Sequence, residues 1–206
     1  MKHFYKLDLP INPLIDNDLT KHISHNTWHG YKDVESYITP DVLDKFTEIN
    51  LRPELAVFVC GTQEYGVTEN LIHSDLTWQK ESWRRVPFAI NWELNDTDTV
   101  TTAHWYDTSD CEEIWPNVPA HELPEHLKYI YGIFYPGNIK LAEEVVLMDN
   151  EKKNFPALFN TNVAHSVTFK TSHPYRFVLS LRFNIDEIPS WDEAVKRFKK
   201  FIIQDV

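Results

Sequence analysis

"YRFVLSLRFN", residues 175–184, alternates with period two. Phe177, Leu179, Leu181 and Phe183 fall on one side of an extended chain, and Arg176, Val178, Ser180 and Arg182 on the other. The first set belongs in a hydrophobic layer. The second, with two guanidiniums and a hydroxyl, either faces water or lines a cavity holding something negative, and alternation alone does not choose. A strand of this kind needs a sheet, and the chain offers one. "ELAVFVCG" (54–61), "NLIHSDL" (70–76), "PFAINWEL" (87–94), "TVTTAHWYD" (99–107), "EEVVLMDN" (143–150) and "PALFNTNVAHSVTF" (156–169) are short, rich in β-branched and aromatic residues, and separated by Asn, Asp, Pro or Gly. "HFYKLDL" (3–9) adds one strand to an otherwise irregular lead-in of 35 residues.

Helices are confined to the ends. "TPDVLDKFTEINL" (39–51) places Thr39 as a cap and Pro40 at the first helical position, with Val42, Leu43, Phe46 and Ile49 as an apolar stripe. A closing helix over 190–204 is capped by Ser190, with Glu193 completing a capping box and Val195, Phe198, Phe201 and Ile202 on its buried side. The basic run "KRFKK" (196–200) lies on that helix as a solvated face. Strands in the middle and helices at the ends predict a mainly β chain rather than βαβ units. The expected architecture is a double-stranded β-helix (a jelly roll, cupin-like) with flanking N-terminal and C-terminal helices. Without repeats or linkers, residues 1–206 read as a single domain with a core over about 50–185. The insertion at 112–138, the loop at 76–86 and the lead-in are expected to form the wall of any pocket.

Hydrophobic residues make up 42% of the 206 and charged residues 25%, so the chain can bury a core and is not disordered. No segment approaches the roughly 20 apolar residues of a membrane span, and "MKHFYKLDLP" is no signal peptide. A soluble, cytoplasmic protein is expected. A net charge of −11 disfavours nucleic acid as a partner. Cys60 and Cys111 form no CxxC pair, so neither a disulfide framework nor a zinc knuckle is expected, and Cys60 reads as a small buried residue.

With ten histidines in the chain, no single one is informative. "HSD" places His73 and Asp75 on one face of a strand; His165 follows 92 residues later near the start of another, and Arg176 comes 11 residues after that. Two imidazoles and one carboxylate form the facial triad that holds Fe(II) with open positions for other ligands. An arginine farther along grips a carboxylate through a charge-assisted pair.

The order H-x-D, distant H, then R, on such a strand series, resembles the 2-oxoglutarate and Fe(II)-dependent dioxygenase superfamily. "VPFAINWEL", "TTAHWYD", "NTNVAHSV" and "YRFVLSLRFN" are also similar to segments of small oxygenase-like proteins of marine phages and bacteria. The His165–Arg176 spacing is similar to that of aspartyl/asparaginyl β-hydroxylase-like members. This resemblance implies Fe(II) on His73, Asp75 and His165. It further implies 2-oxoglutarate as cosubstrate, chelating the iron and anchored through its C5 carboxylate by Arg176, with O2 as oxidant. Oxidative decarboxylation to succinate and CO2 would then be coupled to C–H oxidation, by default hydroxylation.

Within this reading Arg182, 17 residues after His165, is the alternative anchor, and Ser180 can assist either arginine. Asn91 is either a pocket residue or an ordinary strand polar group. Arg85, after Arg84 in "SWRRVPF", either contacts an anionic substrate or is exposed. His104 either contacts substrate, supports the site from behind its ligands, or packs structurally. Trp78 and Trp83, just beyond "HSD", are expected at the pocket mouth. The substrate is a small molecule or a peptide or protein side chain, and nothing in the sequence fixes an oligomeric state. The competing reading is a cupin-like metal-binding module or metalloenzyme that holds zinc, manganese or nickel without 2-oxoglutarate and has no need of Arg176. A third is a non-catalytic shell or lectin module.

Overall fold

A computed structural model describes residues 2–16, 28–62, 72–94, 99–123, 131–136, 139–148, 155–170 and 175–204. Among these, twelve strands form two antiparallel sheets packed as a β-sandwich. The first sheet runs β1 (Phe4–Lys6), β10 (Ala157–Phe159), β6 (Ala89–Glu93), β12 (Tyr175–Phe183), β3 (Pro53–Thr62) and β2 (Trp28–Tyr31). The second runs β5 (Ser82–Arg85), β4 (His73–Gln79), β11 (His165–Lys170), β7 (Val100–Asp107) and β9 (Lys140–Met148), with β8 (Tyr131–Phe134) also paired to β4. No helix among the described residues is long and apolar enough to cross a membrane.

β12 is buried on both sides, which answers the question its alternation leaves open. Leu179, Leu181 and Phe183 join Phe58, Ile90 and Trp92 in a layer covered by α1 (Pro40–Thr47) and α2 (Trp191–Phe198) through Val42, Phe46, Ala194 and Phe198. Phe183 packs edge-on against Phe46 and stacks on Phe88. Each such side chain withdrawn from water contributes about 1.5–3 kcal/mol. Arg176, Val178 and Ser180 are buried on the opposite face, and Arg182 is mostly so. That face looks into the sandwich, where Phe4, Ala157 and Phe159 of the first sheet meet Ala103, Trp105 and Val167 of the second.

Several elements differ from expectation. The first helix stops at Thr47, and Thr39 caps it through its backbone carbonyl, which accepts from the Val42 and Leu43 amides; its hydroxyl is buried without a hydrogen-bond partner among the described residues. The closing helix ends at Phe198 and continues only as a single 3-10 turn over Lys199–Phe201. "PALFNTNVAHSVTF" is two strands in different sheets. Asn160 and Thr161 carry the chain across, and Thr161 Oγ1 donates to the Val86 carbonyl (2.8 Å). β2 in the lead-in and β8 in the insertion are strands where irregular chain is expected. Residues 76–86 are no loop but the hairpin β4–β5, turned by Lys80 and Glu81 at φ 51° and 60°. Asn70 and Leu71 of "NLIHSDL", and Asp149 and Asn150 of "EEVVLMDN", lie outside the described residues. Cys60 is buried, and neither it nor Cys111 is in a disulfide.

Candidate metal centre

His73 and His165 open adjacent antiparallel strands and stand directly opposite each other, so both side chains rise from one face of the sheet. Asp75, two residues on, rises from that same face. His73 Nε2 lies 3.4 Å and His165 Nε2 3.8 Å from Asp75 Oδ1, the imidazole centroids are 4.6 Å apart, and all three ligand atoms fall within 4.8 Å of one another. His165 Nδ1 is 2.9 Å from the Val163 carbonyl. A carbonyl only accepts, so Nδ1 carries the proton and Nε2 presents a lone pair to its neighbours. Phe159 packs edge-on against the His165 ring at 5.2 Å. The Asp75 backbone is pinned at both ends: its N–H donates to the Thr161 carbonyl, and its own carbonyl accepts from Val86 N–H (both 2.9 Å).

The donors suit a divalent transition metal. Two neutral nitrogens and one carboxylate oxygen occupy three positions and leave the others open. Cis ligands about 2.1 Å from one ion are about 3 Å apart, so small side-chain movements close the observed set around a metal. A buried His73–Asp75–His165 group of this kind can hold a metal ion. Burial pushes the His165 imidazole down to about 4, and His73 beside it adds to the effect. Burial works against ionisation of Asp75, but Arg182, followed by His73 and His165, outweighs it and holds the carboxyl well below the usual carboxylate range. The Asp75 oxygens are divided between partners. Oδ1 faces the imidazoles, and Oδ2 lies 2.6 Å from Arg182 Nη2. Arg182 Nε and Nη1 are buried with no hydrogen-bond partner among the described residues.

No family model, curated protein or solved structure matches this chain.

The site's geometry brings together His73, Asp75, His165 and Arg182. Ser180 and Asn91 lie on the inner face of the first sheet, directly opposite each other, with Ser180 Oγ donating to Asn91 Oδ1 (2.6 Å). Arg176, on the same face of β12, is closed off. Its Nε donates to Glu93 Oε2 (3.0 Å), its Nη2 to Glu93 Oε1, and its guanidinium lies over the Phe169 ring. Glu93 is thus the partner that sequence reasoning passed over, although an acid among the apolar residues of "INWEL" is the signal for a buried one.

The other candidates lie away from the triad. Arg85 stands opposite Leu76 in the hairpin, on the outer side of the pleat from Asp75. It contacts the Tyr135 hydroxyl (3.2 Å), the Asn162 carbonyl (3.3 Å), Glu113 and the Trp115 ring. His104 faces opposite to Trp105, whose strand partner is His165. It bridges Thr168 Oγ1 (3.0 Å) and Glu144 (3.2 Å) on the outside of the second sheet. Trp83 donates to the Val118 carbonyl (2.8 Å) and packs beside Leu76 and Ile133. Trp78 meets Trp83 edge-on and borders a cleft of about 310 Å3.

Proposed function

We propose that this chain is a jelly-roll, non-haem Fe(II)- and 2-oxoglutarate-dependent oxygenase, by default a hydroxylase. The observation that carries the reading is the convergence of His73, Asp75 and His165 on one buried face with their ligand atoms turned together. Strand order supports the architecture. Counting the eight strands β3, β4, β6, β7, β9, β10, β11 and β12 along the chain, the first sheet holds the first, eighth, third and sixth side by side. The second holds the second, seventh, fourth and fifth, an order that supports a jelly-roll wrap.

When bound, the iron and 2-oxoglutarate supply the oxidising chemistry, in which O2 turns 2-oxoglutarate into succinate and CO2 and one oxygen atom passes to a substrate C–H bond. The chain's own part is to hold and orient. Val163 fixes the His165 tautomer, and Arg182 holds Asp75 so that one oxygen stays turned towards the imidazoles. Arg182 Nε–H and Nη1–H, without a hydrogen-bond partner among the described residues, are donors left over for a cosubstrate carboxylate oxygen, which makes Arg182 rather than Arg176 the anchor in this proposal. Trp105 and Phe159, both buried, keep water from the face behind His165. One observation favours a second reading, a metalloenzyme without 2-oxoglutarate: Glu93 already neutralises Arg176, so that guanidinium is not open to a cosubstrate.

Anaerobic titration of Fe(II) with and without 2-oxoglutarate tests both, read by the visible metal-to-ligand charge-transfer band. A band that requires both additions, disappears in Arg182→Ala and survives in Arg176→Ala is the expected result. Metal binding without a band selects the second reading, and no metal binding defeats both.

A further inference from the structure

We infer that Gly132 is a positioning residue of the candidate metal centre: its bare backbone is the surface against which the His73 side chain is set. The inference rests on the reading of His73, Asp75 and His165 as metal ligands, and not on 2-oxoglutarate. In the pairing of β4 with β8, Gly132 stands directly opposite Asp75, and Phe134 opposite His73. A side chain at 132 would therefore rise from the face that carries the triad. A Cβ placed there would lie 3.3 Å from His73 Cβ and 3.6 Å from both His73 Cδ2 and Phe134 Cζ. The first distance is inside the separation of about 3.5–4.0 Å at which carbon atoms attract best. The Gly132 backbone lies outside the left-handed region, so conformation alone does not call for glycine. A glycine inside a strand otherwise weakens it, and marks a place where another group approaches closely. Here that group is a metal ligand.

His73 has little room to yield. Its Cβ is one bond from a main chain paired to Phe134 of β8 on one side and to His165 of β11 on the other. Its ring lies 4.6 Å from the His165 ring and 6.4 Å from that of Phe134, with Nε2 3.4 Å from Asp75 Oδ1. A methyl group at 132 must tilt that ring or push β8 off β4, and either movement shifts Nε2 relative to Asp75 Oδ1. Sites of this kind tolerate displacements of only about 0.5 Å. Gly61 provides the contrast. It is also a strand glycine, opposite Arg176, and a Cβ there would lie 3.2 Å from Phe169 Cε1 and 3.4 Å from Cζ. Those atoms are the far edge of a ring that can turn aside, and none of them belongs to the triad.

The test compares the wild-type full chain with Gly132→Ala and Gly61→Ala. Co(II) binding is followed by calorimetry and by the visible d–d bands of the ion, and the histidine ring signals of the metal-free proteins are recorded by NMR. Gly132→Ala is expected to weaken Co(II) by about tenfold, to change the d–d bands and to move the His73 ring signals. Gly61→Ala should leave all three as in the wild type. The metal-free wild type should also show a nuclear Overhauser contact from Gly132 Hα to His73 Hβ, which keeps the inference testable even where Gly132→Ala does not fold. It is overturned if that contact is absent, if Gly132→Ala binds Co(II) as the wild type does with its His73 signals unmoved, or if Gly61→Ala loses as much affinity. A wild type that binds no Co(II) would defeat the metal reading, while the metal-free His73 signals would still decide whether Gly132 sets the imidazole.

Discussion

Arg176 carries a full charge into the sandwich, and Glu93 meets it with both carboxylate oxygens at a site where each side chain is about nine-tenths buried. Removing one partner strands the other in low dielectric, which costs about 3–5 kcal/mol, whereas removing both with apolar residues is often nearly neutral. Arg176→Leu and Glu93→Leu should each lower the stability measured by denaturant unfolding by about that amount, and the double variant should recover most of it. An Arg176 that instead stands open for a cosubstrate would cost little stability when replaced, so the same unfolding curves decide its role. Residue types at the candidate metal centre were legible in the sequence because ligand chemistry restricts them: "HSD" and His165 sit together as their spacing and strand positions predict. Partner choice was not legible. Whether Asp75 meets Arg182 or Arg176 depends on how far β12 slides past the facing sheet, which no local pattern encodes. Trp78 is a different case, since its offset of three from Asp75 puts it on the other side of the pleat.

The hairpin β4–β5 shows the same limit in an element. Its two-residue turn needs positive φ at both central positions, which Asn-Gly supplies, yet Lys80 and Glu81 occupy them at φ 51° and 60°. The usual turn signal is missing, and a strand pair reads as a loop. Left-handed backbone costs a residue with a Cβ roughly 1–2 kcal/mol. Lys80→Asn with Glu81→Gly should therefore raise stability by about 1–2 kcal/mol in thermal or denaturant unfolding, the lost Lys80–Asp186 surface pair subtracting little. Asp186 ties this hairpin down: Lys80 and then Arg84 hydrogen-bond its exposed carboxyl and hold it below the ordinary carboxylate value. A depressed folded value means that the stabilisation is present above the unfolded pKa of about 3.9 and is lost as pH falls through the lower, folded one. Amide hydrogen exchange in β5 should accelerate, relative to the rest of the second sheet, on going from pH 6 to pH 3. Asp186→Asn should show the faster exchange already at pH 6. Equal relative protection at both pH values would remove Asp186 from that role. The boundary between β10 and β11 was hidden for another reason: one apolar run crosses from sheet to sheet, and only the short polar stretch Asn160–Asn162 marks the passage.

For the whole molecule, alternation in β12 is sufficient for a strand but not for a sandwich. Helices cover one face of its sheet and the second sheet covers the other, so both the apolar and the arginine-bearing rows end up inside. The inner row makes the candidate metal centre a global rather than a local feature. His73, Asp75 and His165 belong to the second sheet, Arg182 to the first, and the Asp75–Arg182 contact spans the two. A metal held there binds only when the sheets are assembled, because the unfolded chain cannot gather ligands 92 residues apart. The net charge of −11 favours cation approach over the whole surface. Mass action then sets the size of the effect: free metal at a hundredfold over its Kd stabilises the fold by about 2.7 kcal/mol. For a chain of this length that corresponds to a rise in Tm of roughly 5–10 °C. Calorimetric melts of the wild type with Fe(II) under anaerobic conditions, or with Mn(II) as a redox-stable substitute, should show that rise. His165→Ala should melt at one temperature with or without metal. A shift retained in His165→Ala would mean that the ion binds the acidic surface and not the triad.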